Sequence, residues 1–207
     1  EVQMKETTNY KAIESIFKQN QGFITHDDIV KANIPSWFLF DFVRKNNLKR
    51  IVPGFYASDE YIVDDYFILQ MRYPKYIYSG LSALYLHHLT DKIPIDLYVT
   101  CPRGYHPYRK NLIALSVTYI SNNALYNLGI TETKTMFGNL VKVYDKERTI
   151  CDLIKYRDNY DGETFVKAMK TYVNGNIDQR KLFRYAKAMK IEKKVFEILE
   201  VMTNENQ

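Results

Sequence analysis

Arg148 and Asp152 stand one helical turn apart in KERTICDLIKYR (residues 146–157), with Thr149 between them. A guanidinium and a carboxylate at i and i+4 share a helix face and can form a hydrogen-bonded ion pair. Asp145, just before the segment, suits a helix start, because its oxygens accept from unpaired N–H groups. Two readings follow. The preferred one is a clamp that holds helix to sheet, a common use of ion-pair networks at helix starts. The other is a partner surface or a nucleotide-facing pocket, with His87 or His88 close by. An imidazole on an apolar helix is more often packed than catalytic.

The other charge-bearing patterns are basic. The loop CPRGYHPYRK (101–110) interleaves Arg103, Arg109 and Lys110 with Tyr105, His106 and Tyr108. Cations alternating with rings suit a nucleic-acid backbone, although a solvated hairpin tip is the plainer account. Arg180, Arg184, Lys187 and Lys190 recur at i, i+4, i+7 and i+10, which makes a stripe opposite Leu182, Tyr185, Ala186 and Met189. Such a stripe is usually a solvated face; the alternative is a second contact with DNA or with another protomer. Lys49 and Arg50 follow a helical segment directly and are assigned to phosphates.

Enzyme signatures are weak. Pro94-Ile95-Asp96 with Glu132-Thr133-Lys134 has the letters of a nuclease metal site, but Glu132 lies in a polar stretch that reads as a turn. No phosphate-binding glycine loop, nucleophile elbow or zinc box is present. The two cysteines, Cys101 and Cys151, form no C-x-x-C pair and read as structural thiols. The expectation is a chain without catalytic residues, metal or cofactor. No apolar run approaches the ~18 residues of a membrane span, and no signal peptide is visible, so a cytoplasmic protein is expected. The formal net charge of +5 fits a nucleic-acid binder and does not demand one.

Elements must position these groups. Tyr10, Ile13, Ile16 and Phe17 predict a helix over 5–19. Thr25 before HDDIVKA is an N-cap with acids in the first turn. Asn33 and Ile34 make a turn, and Pro35 opens a second helix to Asn46. In that helix Leu39, Phe42 and Val43 turn inward. Ser36, Phe40, Asp41, Arg44 and Lys45 are left outward, and Trp37 and Phe38 fit either side. Leu48–Val52, the turn at Pro53-Gly54 and Phe55–Ala57 make a basic hairpin. Helix, turn, helix and basic hairpin are the parts of a winged helix-turn-helix, in which Ser36, Asp41, Arg44 and Lys45 would face the major groove.

Residues 59–207 read as a second domain after a winged-helix domain at 1–58. Helices are expected at 60–73, at 79–88 (with Leu81, Leu84, Tyr85 and His88 packing), and in four segments after Asp145. Strands are expected at 76–78, 95–100, 115–120 and 138–143. Strands first and helices last argue for an α+β domain with a small sheet.

Three segments resemble the AbiEi antitoxin family. LKRIVPGFY is similar to its wing, a basic strand closed by a Gly-aromatic-Tyr turn. SGLSALYLHHLT resembles its Ser-Ala-Leu-x-x-His segment, with Ser82 and His88 taken as the polar members. VKVYDKERTICDLIKYR resembles its closing motif, an acidic-Arg-Thr-x-x-Asp core at Glu147, Arg148, Thr149 and Asp152. The resemblance spans about residues 10 to 200. It implies an antitoxin of a two-gene, type IV abortive-infection system against phage. Such a protein represses its own promoter at inverted repeats through the first domain. Through the second it counters a nucleotidyltransferase-type toxin without a stable complex. Promoter DNA and the toxin are the implied partners, with self-association on DNA a further one. A catalytic second domain, acting on toxin or nucleotide, and a direct protein-binding module are the alternatives.

Overall fold

The computed structural model describes residues 2–105 and 114–204, and the protein is α+β, with ten α-helices and two sheets among the described residues. It divides into two compact units, Glu1–Val63 and Asp64–Gln207; the sequence reading sets this boundary at 58/59.

The first unit runs α1 (Val2–Gln19), β1 (Phe23–Thr25), α2 (His26–Lys31), α3 (Ser36–Lys45), β2 (Lys49–Val52) and β3 (Phe55–Ala57). Thr25 caps α2 reciprocally. Its hydroxyl accepts from the Asp28 N–H, and the Asp28 carboxylate accepts from the Thr25 N–H. Asn33 ends the following turn with φ +53, a left-handed conformation that asparagine tolerates. Ile13, Ile24, Ile29, Phe38, Leu39 and Phe42 form the core between the helices. β1 is absent from the sequence reading. Its three residues are all buried and pair antiparallel with β3, giving a sheet of order β1-β3-β2. A strand this short and buried on both faces leaves no alternation to detect.

The second unit contains α4 (Asp65–Arg72), β4 (Ile77–Tyr78), α5 (Gly80–Leu86), β5 (Leu97–Pro102), β6 (Leu115–Ile120), α6 (Asn123–Asn127), β7 (Ile130–Lys134) and β8 (Leu140–Tyr144). Four helices close it: α7 (Lys146–Lys155), α8 (Gly162–Val173), α9 (Gln179–Ala188) and α10 (Glu192–Asn204). The mixed sheet has the order β6-β5-β4-β8-β7, with β4/β8 and β5/β6 parallel. Leu84, Ile150, Leu153, Met169 and Leu182 lead the core under the helices, while Leu69, Tyr78, Val99 and Val143 lead a second cluster.

Three expectations change. α4 starts at Asp65, not at residue 60, because the Asp64 carboxylate accepts from the Phe67 N–H and leaves Ile62 exposed. The stretch around Glu132 is not a turn but edge strand β7. The nuclease pattern therefore fails for a different reason: β4 and β8 lie between the strand of Glu132 and β5, just before which Asp96 sits. Finally, α5 ends at Leu86, and His88 adopts φ +57 and is exposed rather than packed.

Candidate functional site

The outward face of α3 is aromatic. Phe38, Leu39 and Phe42 are buried, while Trp37 and Phe40 remain 52% and 57% exposed. Trp37 stacks on the Phe38 ring at 3.7 Å, so it covers the core with one face and offers the other to solvent. Ser36 is exposed at the head of the helix, 3.4 Å from the His26 ring. These side chains share a face at i, i+1 and i+4, and Arg44 continues it.

The charges of α3 are bound to one another. Asp41 accepts from Arg44 at 2.7 Å and from Lys45 at 2.8 Å. It also accepts from the Tyr10 hydroxyl of α1, and Lys45 lies 4.6 Å above the Tyr10 ring. The Lys45 hydrogen bond, with help from Arg44, holds the Asp41 carboxyl below its ordinary pKa. Asp41 therefore turns toward α1 and organises two cations. The sequence reading, which has it facing outward as an independent contact, is corrected.

β2 separates its two cations. Lys49 and Arg50 are consecutive in a strand, so they point to opposite faces. Lys49 pairs with Asp59 at 2.9 Å, while Arg50 is exposed and has no acidic partner among the described residues. Ile51 is left out of the register between Arg50 and Val52, which bends this edge strand.

The second unit gathers the closing motif into a connected cluster. The Asp145 carboxylate caps α7 by accepting from the Arg148 N–H at 2.9 Å. Arg148 is buried. Its Nε donates to Asp152 at 3.1 Å, and its Nη1 donates to the carbonyls of Leu125 and Leu128. The guanidinium also lies 4.4 Å from the Tyr144 ring centre. Thr149 donates to the Tyr144 carbonyl. Burial raises the Asp152 carboxyl above its ordinary pKa, against the pull of Arg148.

Three participants escape the sequence reading. Lys181 of α9 bridges Asp145 at 3.0 Å and Glu147 at 2.9 Å. Burial pushes its ammonium down, but the hydrogen bonds it donates to both carboxylates outweigh this and its pKa is raised. Tyr185 donates to Asp145 at 3.0 Å. Gly129, at φ +82, passes so close that a Cβ would lie 2.8 Å from that of Arg148. A signal existed for Lys181: it stands one turn before Tyr185, at the edge of the apolar face of α9.

His87, not His88, belongs near this cluster. Its Nε2 donates to the Tyr144 carbonyl at 2.7 Å, and burial lowers its pKa. Counting Ser-Ala-Leu-x-x-His from Ser82 also ends on His87. The Ser82 hydroxyl is buried and accepts from the Tyr98 N–H. Arg180, Arg184 and Lys187 are exposed on α9, opposite the buried Leu182, Tyr185 and Ala186. Arg103 is exposed beside Ser121. Arg109 and Lys110 lie outside the described residues. Burial pushes the Cys101 and Cys151 thiols to about 11 and about 12, which keeps both protonated and inert. Among the described residues no helix is long and apolar enough to cross a membrane.

No protein-family model matches the chain, and comparison with curated proteins returns no match. Among solved structures, the fold is similar to that of the RV2827C protein from Mycobacterium tuberculosis, with a TM-score of 0.52 at 14% identity. The alignment covers 87% of this chain and 71% of that one. At that identity the likeness concerns the fold alone.

Proposed function

We propose that the protein is a DNA-binding antitoxin of the AbiEi type that represses its own operon. In this reading the first unit is a winged helix: α2 and α3 are the helix-turn-helix and β2–β3 is the wing. The observation that carries the reading is the outward face of α3. Ser36, Trp37, Phe40 and Arg44 are exposed together on the helix that precedes the basic hairpin. An isolated soluble unit gains nothing from exposing two large rings on one helix turn, whereas a helix seated in a groove does. Arg50 is the cation best free to meet phosphates, with Arg44 and Lys45 released from Asp41, and Lys49 from Asp59, as DNA competes.

The second unit then carries the antitoxin task against a nucleotidyltransferase-type toxin, without a stable complex. A gel shift on the operon's own promoter tests the first half. Wild-type protein is expected to bind an inverted repeat. The Arg44→Ala, Lys49→Ala, Arg50→Ala triple variant is expected to lose affinity and to show a flatter salt dependence, by about one unit of slope per lost phosphate contact. Equal binding by the triple variant would refute the interface. The exposed α9 stripe supports a second reading, in which the second unit binds toxin directly. Co-purification of toxin with wild type, and its loss in an Arg180→Glu, Arg184→Glu variant, would favour that reading.

A further inference from the structure

We propose that the second unit binds a small, uncharged ring compound of the nucleoside class in the cleft beside the Arg148–Asp152 pair. The cleft holds about 310 Å³ between the start of α5, the face of β5–β6, α7 and the segment before α8. That volume is at the lower end for small-molecule sites and matches one base with its sugar.

Three features of the lining choose the ligand. The first is charge balance. Lys92 is paired with Asp161 at 2.8 Å, and Arg148 with Asp152 at 3.1 Å. Both cations of the cleft already have carboxylate partners, so a phosphate would have to displace one of them. An uncharged ligand disturbs neither pair.

The second is a free donor beside a free acceptor. Asp152 accepts from Arg148 only at Oδ2, and Arg148 uses only Nε and Nη1 in its hydrogen bonds among the described residues. Oδ1 of Asp152 and Nη2 of Arg148 are left over, on residues that line the cleft. An acceptor next to a donor complements the edge of a nucleobase, where N–H and C=O or ring nitrogen alternate.

The third is the combination of rings and hydroxyls in the lining. Tyr98, Tyr156 and Tyr160 line the cleft. Gly80, at φ +53, admits two of them: a Cβ there would stand 3.2 Å from the Tyr98 ring and 3.4 Å from the Tyr160 hydroxyl. A tyrosine face stacks on any base. On the sheet face of Tyr98, Ser116 is its register partner and Thr118 is that of Thr100, whose hydroxyl donates to Ser79 at 2.8 Å. The hydroxyls of Ser116 and Thr118 are suited to ribose. The inference is independent of DNA binding by the first unit.

The test is a titration of the full chain, followed by ¹H–¹⁵N spectra and calorimetry. The probes are adenosine, guanosine, cytidine and uridine, their 5′-monophosphates, glucose and serine. At least one nucleoside is expected to saturate with a sub-millimolar Kd and to shift Ser116, Thr118 and Asp152, with its monophosphate binding no tighter. Tyr156 is 42% exposed, so Tyr156→Ala is expected to keep the fold and to weaken binding about tenfold. Thr118→Trp, also at an exposed position, is expected to block the cleft. Four results would overturn the proposal: no saturation by any nucleoside at millimolar concentration, tighter binding of a monophosphate, binding of glucose or serine in place of nucleosides, or undiminished binding by both variants.

Discussion

The charges on α3 and those around α7 both pair an aspartate with a cation about one helical turn away, and they do opposite things. Asp41 gathers Arg44 and Lys45 at the surface, where the Arg44 side chain is 81% exposed. Arg148 and Asp152 pair inside the protein, with side chains 3% and 12% exposed. In water an ion pair gains little, because solvation competes with it and salt screens it. In the interior the same pair cannot be broken cheaply, because the surviving charge has no water to turn to. Surface charges on α3 are therefore available to a partner, while those of α7 are committed to the fold. Spacing of one helical turn does not predict which.

The largest expected effect breaks the buried side of this contrast. Arg148→Ala strands the Asp152 carboxylate and two carbonyls, and should cost about 3–5 kcal/mol in urea unfolding of the second unit. A loss below about 1 kcal/mol, the range of surface pairs, would erase the distinction. Next comes Gly129→Ala. Its left-handed φ and the 2.8 Å approach to Arg148 should together cost about 2 kcal/mol, read from the same unfolding curve.

Lys181→Met should cost about 1–2 kcal/mol, since its ammonium is partly solvated but serves two buried carboxylates. Its pH dependence sharpens the comparison. The folded-state pKa of Lys181 is raised, so its contribution is whole below the unfolded value of 10.5 and is lost as pH rises through the folded value. The stability gap between wild type and Lys181→Met should stay constant near neutral pH and narrow only in strong alkali. A gap that narrows between pH 6 and 9, measured by thermal melts, would remove the two-carboxylate bridge from the account.

The smallest stability effect belongs to Asp41→Asn. The melting temperature should not move measurably, but DNA binding should tighten. Freeing Arg44 and Lys45 should steepen the salt dependence by up to about two units in a fluorescence anisotropy titration. Unchanged slope would mean that these cations do not reach phosphates.

Much of the architecture was legible beforehand because it rests on local rules. The cap at Thr25, the inward set Leu39, Phe42 and Val43, the Pro53-Gly54 turn and the four closing helices all follow from periodicity and capping chemistry. β7 was not legible, because an edge strand reading ITETK offers polar residues to solvent and resembles a loop. Nor was α6, whose five residues are too few for a helical period. At the site, Arg148 and Asp152 were legible as a pair because their contact is one turn long. Lys181 and Gly129 were not, because each meets Arg148 or its neighbours across the fold.

By itself, the sequence determined an α+β chain, two units, and a helix pair followed by a basic hairpin. Those are properties of short segments, where side-chain periodicity and turn chemistry act within a few residues. Only the tertiary structure decided that Asp41 holds its neighbours' charges, that His87 rather than His88 turns inward, and that α7 shares its carboxylates with α9. The physical reason is burial. Whether a charge is worth little or several kcal/mol depends on the solvent left around it, and that is set by elements far apart in the chain.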